Sequence, residues 1–259
     1  MGQRETKTDK EFWDKTWEGS RLGHYAKISS LMAANYDFHR LLKRHLEKKK
    51  GAKRKAIELG SAKGLELVYF AKEFGYEPWG IDYSEHGCEM ARLNLKKAGL
   101  DGKIICADLF KSKLPKKSFD LVYSGGLIEH FENPGKVVEK HAELLKKGGL
   151  LIITIPNYGK SSIYRQMLHK IGIEGEISKT HNFGIMEKAA FRKLFEKRGL
   201  EILEIGYYGP INLNLALEPK TGVLLIPFHL INQVLGYLTL GRKSRRLSSG
   251  LVVVARKKN

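Results

Sequence analysis

Cysteine is scarce: Cys88 and Cys106 are the only two in 259 residues, too few for a disulfide framework. Cys106, within the apolar run KIICA, reads as a small buried hydrophobe of a strand. The opening MGQRETKTDKEFW lacks the basic-then-apolar order of a signal peptide, and it is a poor match to a myristoylation signal. A reducing cytoplasm is therefore the expected compartment. Acidic residues are few beside basic ones, 28 Asp and Glu against 46 Lys and Arg, for a formal net charge of +18. That balance favours anionic partners, whether nucleic acid, phospholipid headgroups or a charged substrate, and does not choose among them. The excess is clustered in Lys43 to Lys55, Lys111 to Lys117 and Gly241 to Arg246, and each cluster taken alone is equally a solvated surface.

Apolar residues make up 42% of the chain, the ordinary share for a soluble core, and the length suits one large domain. Residues 1–54 read as a helical cap, with Ile28, Leu31, Met32, Phe38, Leu41, Leu42 and Leu46 recurring at spacings of three and four on one packing face. From Lys55 to the end the pattern changes to short apolar runs alternating with helical segments. KAIEL leads to a helix from about Gly64 to Phe74, and PWGID to a helix capped by Ser84 and stopped by Gly99. KIICAD, FDLVYS, a helix from Pro134 to Leu145 and GGLLIITIP follow. A helix from Glu187 to Gly199, the strand LEILEIGYY and a last buried strand in LVVVA close the chain. This alternation predicts an α/β fold: a Rossmann-like, doubly wound, mostly parallel seven-stranded sheet, residues 55–259, with insertions at about 157–186 and 209–248.

In such a sheet ligands bind beyond the carboxyl ends of the strands, which gathers Gly60 to Gly64, Asp82, Asp108 and Ser124 to His130 into one site. Two phosphate-binding patterns are missing from it. The turn Gly60-Ser61-Ala62-Lys63-Gly64 lacks the middle glycine of G-x-G-x-x-G, and no G-x-x-x-x-G-K-[ST] occurs. Glu58, two places before the turn, would oppose a diphosphate by several kcal/mol at ~5 Å if the effective dielectric is ~20. A ligand with an ammonium and a sulfonium reverses that sign. Lys63 is expected to be solvated.

These residues resemble the class I S-adenosylmethionine-dependent methyltransferases over about Lys55 to Ile155. IELGSAKG is similar to their first motif, E/D-x-G-x-x-x-G, and implies cofactor contacts from Glu58, Gly60, Ser61, Ala62 and Gly64. Asp82, with Tyr83 beside it, resembles the acidic residue that bonds both ribose hydroxyls. Asp108 and Leu109 resemble the pair that meets the adenine, and Ser124 and Gly125 the segment lining the methionine end. The cofactor so implied is S-adenosyl-L-methionine, and the chain is expected to be an enzyme.

Because the sulfonium already activates the methyl group, the protein has mainly to align an acceptor and exclude water. A base is needed where the acceptor loses a proton, and His130, Glu129 and His181 are the candidate catalytic residues; capping or packing of the next helix explains His130 equally well, and His181 lies in the insertion over the site, where contact with substrate is the lesser alternative. The layout is most similar to the ubiquinone-biosynthesis O-methyltransferases and their small-molecule relatives, which share an EH after the fourth strand and a TH like Thr180-His181. In some of them a glutamate three places before EH helps hold a divalent metal; Gly126 stands there, so no metal is expected. Exocyclic-amine base methylation calls for N/D-P-P-Y/F/W where this chain reads SGGL, and neither cysteine is placed for 5-methylcytosine chemistry. Nucleic acid therefore ranks behind a small, apolar or lipid-like acceptor, O- or N-methylated. A non-catalytic cofactor-binding partner subunit is the other alternative. Residues 223–246, with Phe228, Ile231, Val234, Leu235 and Leu238 on one helical face before a basic cluster, read first as a lid or homodimer contact and second as a peripheral membrane contact.

Overall fold

The computed structural model describes residues 6–18, 33–48, 53–196, 198–216 and 225–258. Seven strands form one sheet in the order β3-β2-β1-β4-β5-β7-β6. They are β1 (Arg54–Leu59), β2 (Tyr76–Asp82), β3 (Lys103–Cys106), β4 (Phe119–Gly125), β5 (Leu145–Pro156), β6 (Leu200–Tyr208) and β7 (Gly250–Lys257). β7 runs antiparallel between β5 and β6, and the β1–β2, β1–β4, β2–β3 and β4–β5 pairs are parallel. This is the expected Rossmann-like sheet, and its order reverses at β1 and β4, where a ligand crevice opens.

Alternation along each strand sorts the core into two layers. Ile57, Leu59, Val122, Ile153 and Val253 pack on one face with Val137 and Val138 of α5 (Pro134–Leu144), Leu168 of α6 (Ile163–Lys170) and Phe191 of α8 (Lys188–Lys193). Ala56, Leu121, Tyr123, Ile152 and Val252 pack on the other with Phe70 and Phe74 of α3 (Leu65–Phe74) and Leu41 and Leu42 of α2 (Ala33–Leu42). Phe38, Leu41, Leu42 and Leu46 thus occupy the packing face that their spacing predicts, while Ile28, Leu31 and Met32 lie outside the described residues.

Local signals set the helix ends. Ser84 caps α4 (Glu85–Lys97), its hydroxyl accepting from the Gly87 amide at 3.1 Å. α8 is shorter than expected, ending at Lys193: its last turn tightens to i→i+3 bonds, Leu194 to Phe191 and Phe195 to Arg192, which buries Phe195 against Phe191. Cys106 also departs from expectation. It is exposed, because it ends the edge strand β3, and Cys88 on α4 is the buried thiol. The first insertion contains α6 and α7 (Glu174–Thr180), and the second contains α9 (Leu225–Leu238). Ahead of them all, α1 (Lys10–Trp17) lies against α4, with none of its residues buried.

Candidate active site

The turn after β1 is drawn tightly toward β2. The amides of Gly60 and Ser61 both donate to Ile81 O, at 2.9 and 3.1 Å, and Gly64 donates to Ser61 O at 2.6 Å. Gly60 has φ +72, and a Cβ there would meet Leu127 at 2.9 Å; Gly64 has φ +63 and faces Ala91 at 3.1 Å. Ala62 takes a positive φ of 38 without being glycine. It is held there by Asp82, whose Oδ2 accepts from the Ala62 amide at 2.8 Å while Oδ1 accepts from Ser84 at 2.9 Å.

Beyond this turn a cavity of about 740 Å³ opens at the carboxyl ends of the parallel strands. Glu58, Gly60, Ser61, Ala62, Asp82, Tyr83, Asp108, Leu109, Gly125 and His130 line it, as expected. Asp108 is fixed by its own turn, Oδ1 accepting from Phe110 at 2.8 Å. Two expected residues stand elsewhere. Ser124 is buried on the opposite face, because alternation along β4 turns Tyr123 into the cavity and Ser124 onto α5, where its hydroxyl meets His141 Nε2 at 2.9 Å. Gly64 serves the turn and the contact with α4, and is not a cavity wall. Lys63, expected in solvent, lines the cavity with Nζ 5.4 Å from the Trp17 ring.

Electrostatically the cavity is acidic at its floor. Glu58 is buried with Oε2 lacking a hydrogen-bond partner. Burial first, then Glu66 and Asp82, hold its carboxyl well above the usual range, with the Leu67 amide opposing. Asp82 is raised by burial too, against the amides of Ser84, Ala62 and Tyr83. A cationic occupant beside these carboxyls would favour their ionised form and offset that burial.

Several walls were not legible from sequence. α1 brings Trp13 and Trp17 over the opening, clamped by Asp14, whose Oδ1 accepts from Ser84 Oγ at 2.7 Å and from the Glu85 amide at 3.0 Å. Ahead of it the Lys7 amide donates to His130 O at 2.7 Å. Glu66, Tyr123, Thr154 and Tyr208 complete the inner end. Nothing local marked them, since their common position depends on how β4, β5, β6 and α3 meet.

Glu129, His130 and His181 come together, with one ligand atom of each within 4.8 Å of the others. His130 lines the cavity, with Glu129 and His181 packed behind it. His130 Nδ1 donates to Thr180 O at 2.7 Å, and burial and His181 press its pKa down to about 3. His181 Nδ1 lies 2.9 Å from Thr180 Oγ1 and 3.2 Å from Ile177 O, and burial lowers its pKa as well. Glu129 is buried with neither carboxylate oxygen partnered, and burial pushes its pKa up to about 8. Gly126, the position on which the expectation of no metal rested, lies open between cavity and carboxylate: a Cβ there would have only Glu129 Oε1, at 3.6 Å, within 4 Å. A carboxylate and two neutral imidazoles whose Nδ1 atoms are already engaged fit a divalent cation such as Zn²⁺, Mn²⁺ or Fe²⁺. Glycine at 126 therefore does not decide the question.

Comparison with known proteins agrees with this geometry. Residues 57–153 match the family model described as a methyltransferase domain. The ubiquinone biosynthesis O-methyltransferase of Thiobacillus denitrificans is 28% identical over 181 residues, 66% of this chain and 76% of that one. The sarcosine/dimethylglycine N-methyltransferase of Aphanothece halophytica is 27% identical over 152 residues, 58% of this chain and 53% of that one. Among solved structures, geranyl diphosphate C-methyltransferase from Streptomyces coelicolor, in complex with Mg²⁺, geranyl diphosphate and S-adenosyl-L-homocysteine, superposes with a TM-score of 0.63 at 12% identity, over 96% of this chain and 97% of that one. Residues 57–153 form a methyltransferase domain on the class I S-adenosylmethionine-dependent methyltransferase fold, and the chain is a methyltransferase enzyme.

Proposed function

We propose that this enzyme binds S-adenosyl-L-methionine in the cavity and transfers its methyl group to a small, apolar or lipid-like acceptor. The acidic floor carries the reading: Glu58, buried with Oε2 unpartnered, and Asp82 suit a ligand with a cationic end and ribose hydroxyls. Asp82 keeps acceptor capacity for a ribose hydroxyl beyond the amides of Ala62, Ser84 and Tyr83 that it already serves. Asp108 and Leu109 line the adenine end, and Gly125 the methionine end. The other walls, Trp13, Trp17, Phe110, Leu127 and Phe131, leave an apolar chamber for the acceptor, covered by α1. The relative named for ubiquinone biosynthesis supports an acceptor with apolar bulk.

The reaction forms a bond from the acceptor atom to the methyl carbon as the carbon–sulfur bond breaks, and an O- or N-acceptor must shed a proton. His130, neutral and held by Thr180, presents Nε2, but a pKa of about 3 makes it a weak base. Glu129, with its pKa of about 8, is better matched to that proton. Its path to the acceptor is the gap that Gly126 leaves. Glu129, His130 and His181 are also the residues that would hold a divalent metal, which when bound supplies a Lewis acid for the acceptor oxygen.

Calorimetry tests the cofactor assignment. S-adenosylhomocysteine should bind, and Asp82→Ala should weaken it by about 2 to 4 kcal/mol, since charge-assisted hydrogen bonds are worth roughly 1.5 to 3 kcal/mol each. Unchanged affinity in that variant rejects the role of Asp82, and uptake of NAD in place of S-adenosylhomocysteine rejects the whole reading. Transfer of a labelled methyl group from the cofactor into organic-soluble material then identifies the acceptor class.

A further inference from the structure

Helix α9 has two unlike sides. Its inner side is tied to the chain that leaves β6: Asn232 Oδ1 accepts from the Leu213 amide at 2.7 Å, and Thr239 Oγ1, just past the helix, accepts from the Ile211 amide at 2.9 Å. A Cβ on Gly236 would approach Ala33 of α2 at 3.3 Å. The outer side carries Leu230, Ile231, Val234 and Leu238, exposed by 65%, 55%, 51% and 65%. Their spacing puts them on one stripe, and a contiguous apolar stripe held in water marks an interaction surface.

Charge identifies what covers it. The helix runs directly into Arg242, Lys243, Arg245 and Arg246, and no Asp or Glu follows Glu218 in the sequence. Lys243 pairs with Glu204 at 2.8 Å and Arg245 with Glu187 at 3.4 Å, while Arg242 and Arg246 stand exposed beside them. A second copy seated on the stripe through its own α9 offers these cations no acid, since α9 carries no Asp or Glu. An anionic bilayer attracts the same cluster while burying the stripe. Fourteen residues of helix span about 21 Å at 1.5 Å per residue, short of the ~30 Å hydrocarbon layer. No helix among the described residues is long and apolar enough to cross a membrane.

We infer that α9 and the Arg242–Arg246 cluster form a docking surface for an anionic lipid bilayer, with α9 lying in the plane of the headgroups. This stands on observations separate from the cofactor site and goes beyond the proposed reaction. It also ties that surface to the site, because Asn232 of α9 accepts from Leu213 in the segment that leaves Tyr208, itself a cavity wall.

Co-sedimentation of the full chain with phosphatidylcholine vesicles, with and without phosphatidylglycerol, tests the inference. The protein should sediment with the phosphatidylglycerol vesicles and be released by high salt. The combined Leu230→Gln, Val234→Gln, Leu238→Gln variant should stay in the supernatant while its S-adenosylhomocysteine affinity is unchanged. Arg242→Gln with Arg246→Gln should lower partitioning onto the anionic vesicles by about five-fold per arginine. Should the triple variant fail to fold, a Leu230→Trp variant replaces it, its added indole emission expected to shift to the blue on anionic vesicles. Wild-type protein that ignores phosphatidylglycerol, a triple variant that binds as well as wild type, or an indole emission from the Leu230→Trp variant that does not move overturns the inference. So does a dimer that the triple variant converts to monomer while neither binds vesicles, which assigns the stripe to a second copy.

Discussion

His141 shows how much of this site is decided by side chains that never touch it. It is fully buried on α5, with Nδ1 donating to Val137 O at 2.7 Å and Nε2 facing Ser124 Oγ at 2.9 Å. That bond holds Ser124 in the core and fixes the course of β4 just before Gly125 and Gly126 enter the cavity wall. Burial presses the His141 pKa down to about 4, against an ordinary value of 6.5. A histidine with a depressed folded-state pKa contributes stability that is present above 6.5 and lost as pH falls toward 4. At pH 5 the loss amounts to about 2 kcal/mol, at 1.36 kcal/mol per pH unit. Urea midpoints measured at pH 7 and pH 5 should therefore fall less in His141→Gln than in the parent; equal falls would mean that acid destabilisation arises elsewhere. Sequence alone placed Ser124 near the cofactor because a motif names a segment. The two-residue period of the strand decides which of its side chains arrive there.

At the scale of elements, α1 is the part whose function the sequence concealed. Its residues are polar or aromatic and none is buried, so no apolar periodicity announces a docked helix. What docks it is a carboxylate: Asp14 reaches Ser84 Oγ and the Glu85 amide at the N-terminus of α4, where the helix dipole favours an acid. Ser84, read as the cap of α4, thus has a second duty of anchoring the cover over the cavity. Asp14→Ala removes an interaction worth about 1 kcal/mol, as helix caps are. Release of S-adenosylhomocysteine in a stopped-flow displacement should then quicken by about five-fold, with little change in thermal stability. An unaltered release rate would show that α1 does not gate the cavity. The inner strands of the sheet, by contrast, were legible, because buried strands such as β1, β4 and β5 carry near-continuous apolar runs that need no knowledge of their partners. The end of α8 was less so, since the tightening that buries Phe195 is a tertiary effect.

Taken whole, the molecule puts charges of opposite sense in different places: an excess of cations over its surface, and unpartnered acid at the floor of the cavity. The acidic positions were legible because they follow strand ends, and topology brings every parallel strand end to one crevice. The Glu129, His130 and His181 cluster was legible only as three separate residues, because His181 reaches the other two by the folding of the insertion after β5. This division of charge makes a ligand test at the level of the whole fold. A ligand that binds only the folded chain stabilises it by about 2.7 kcal/mol at one hundred times its dissociation constant. For a chain of this size each kcal/mol raises the melting temperature by roughly 2 to 4 °C, so S-adenosylhomocysteine should raise it by about 5 to 10 °C. NAD at the same concentration should leave it unmoved, because its diphosphate meets Glu58 and Asp82. The shift should shrink in Asp82→Ala, which removes one of those acids and with it the proposed ribose contact. A rise with NAD and none with S-adenosylhomocysteine would mean that the buried acid is neutralised in some other way and does not select the ligand.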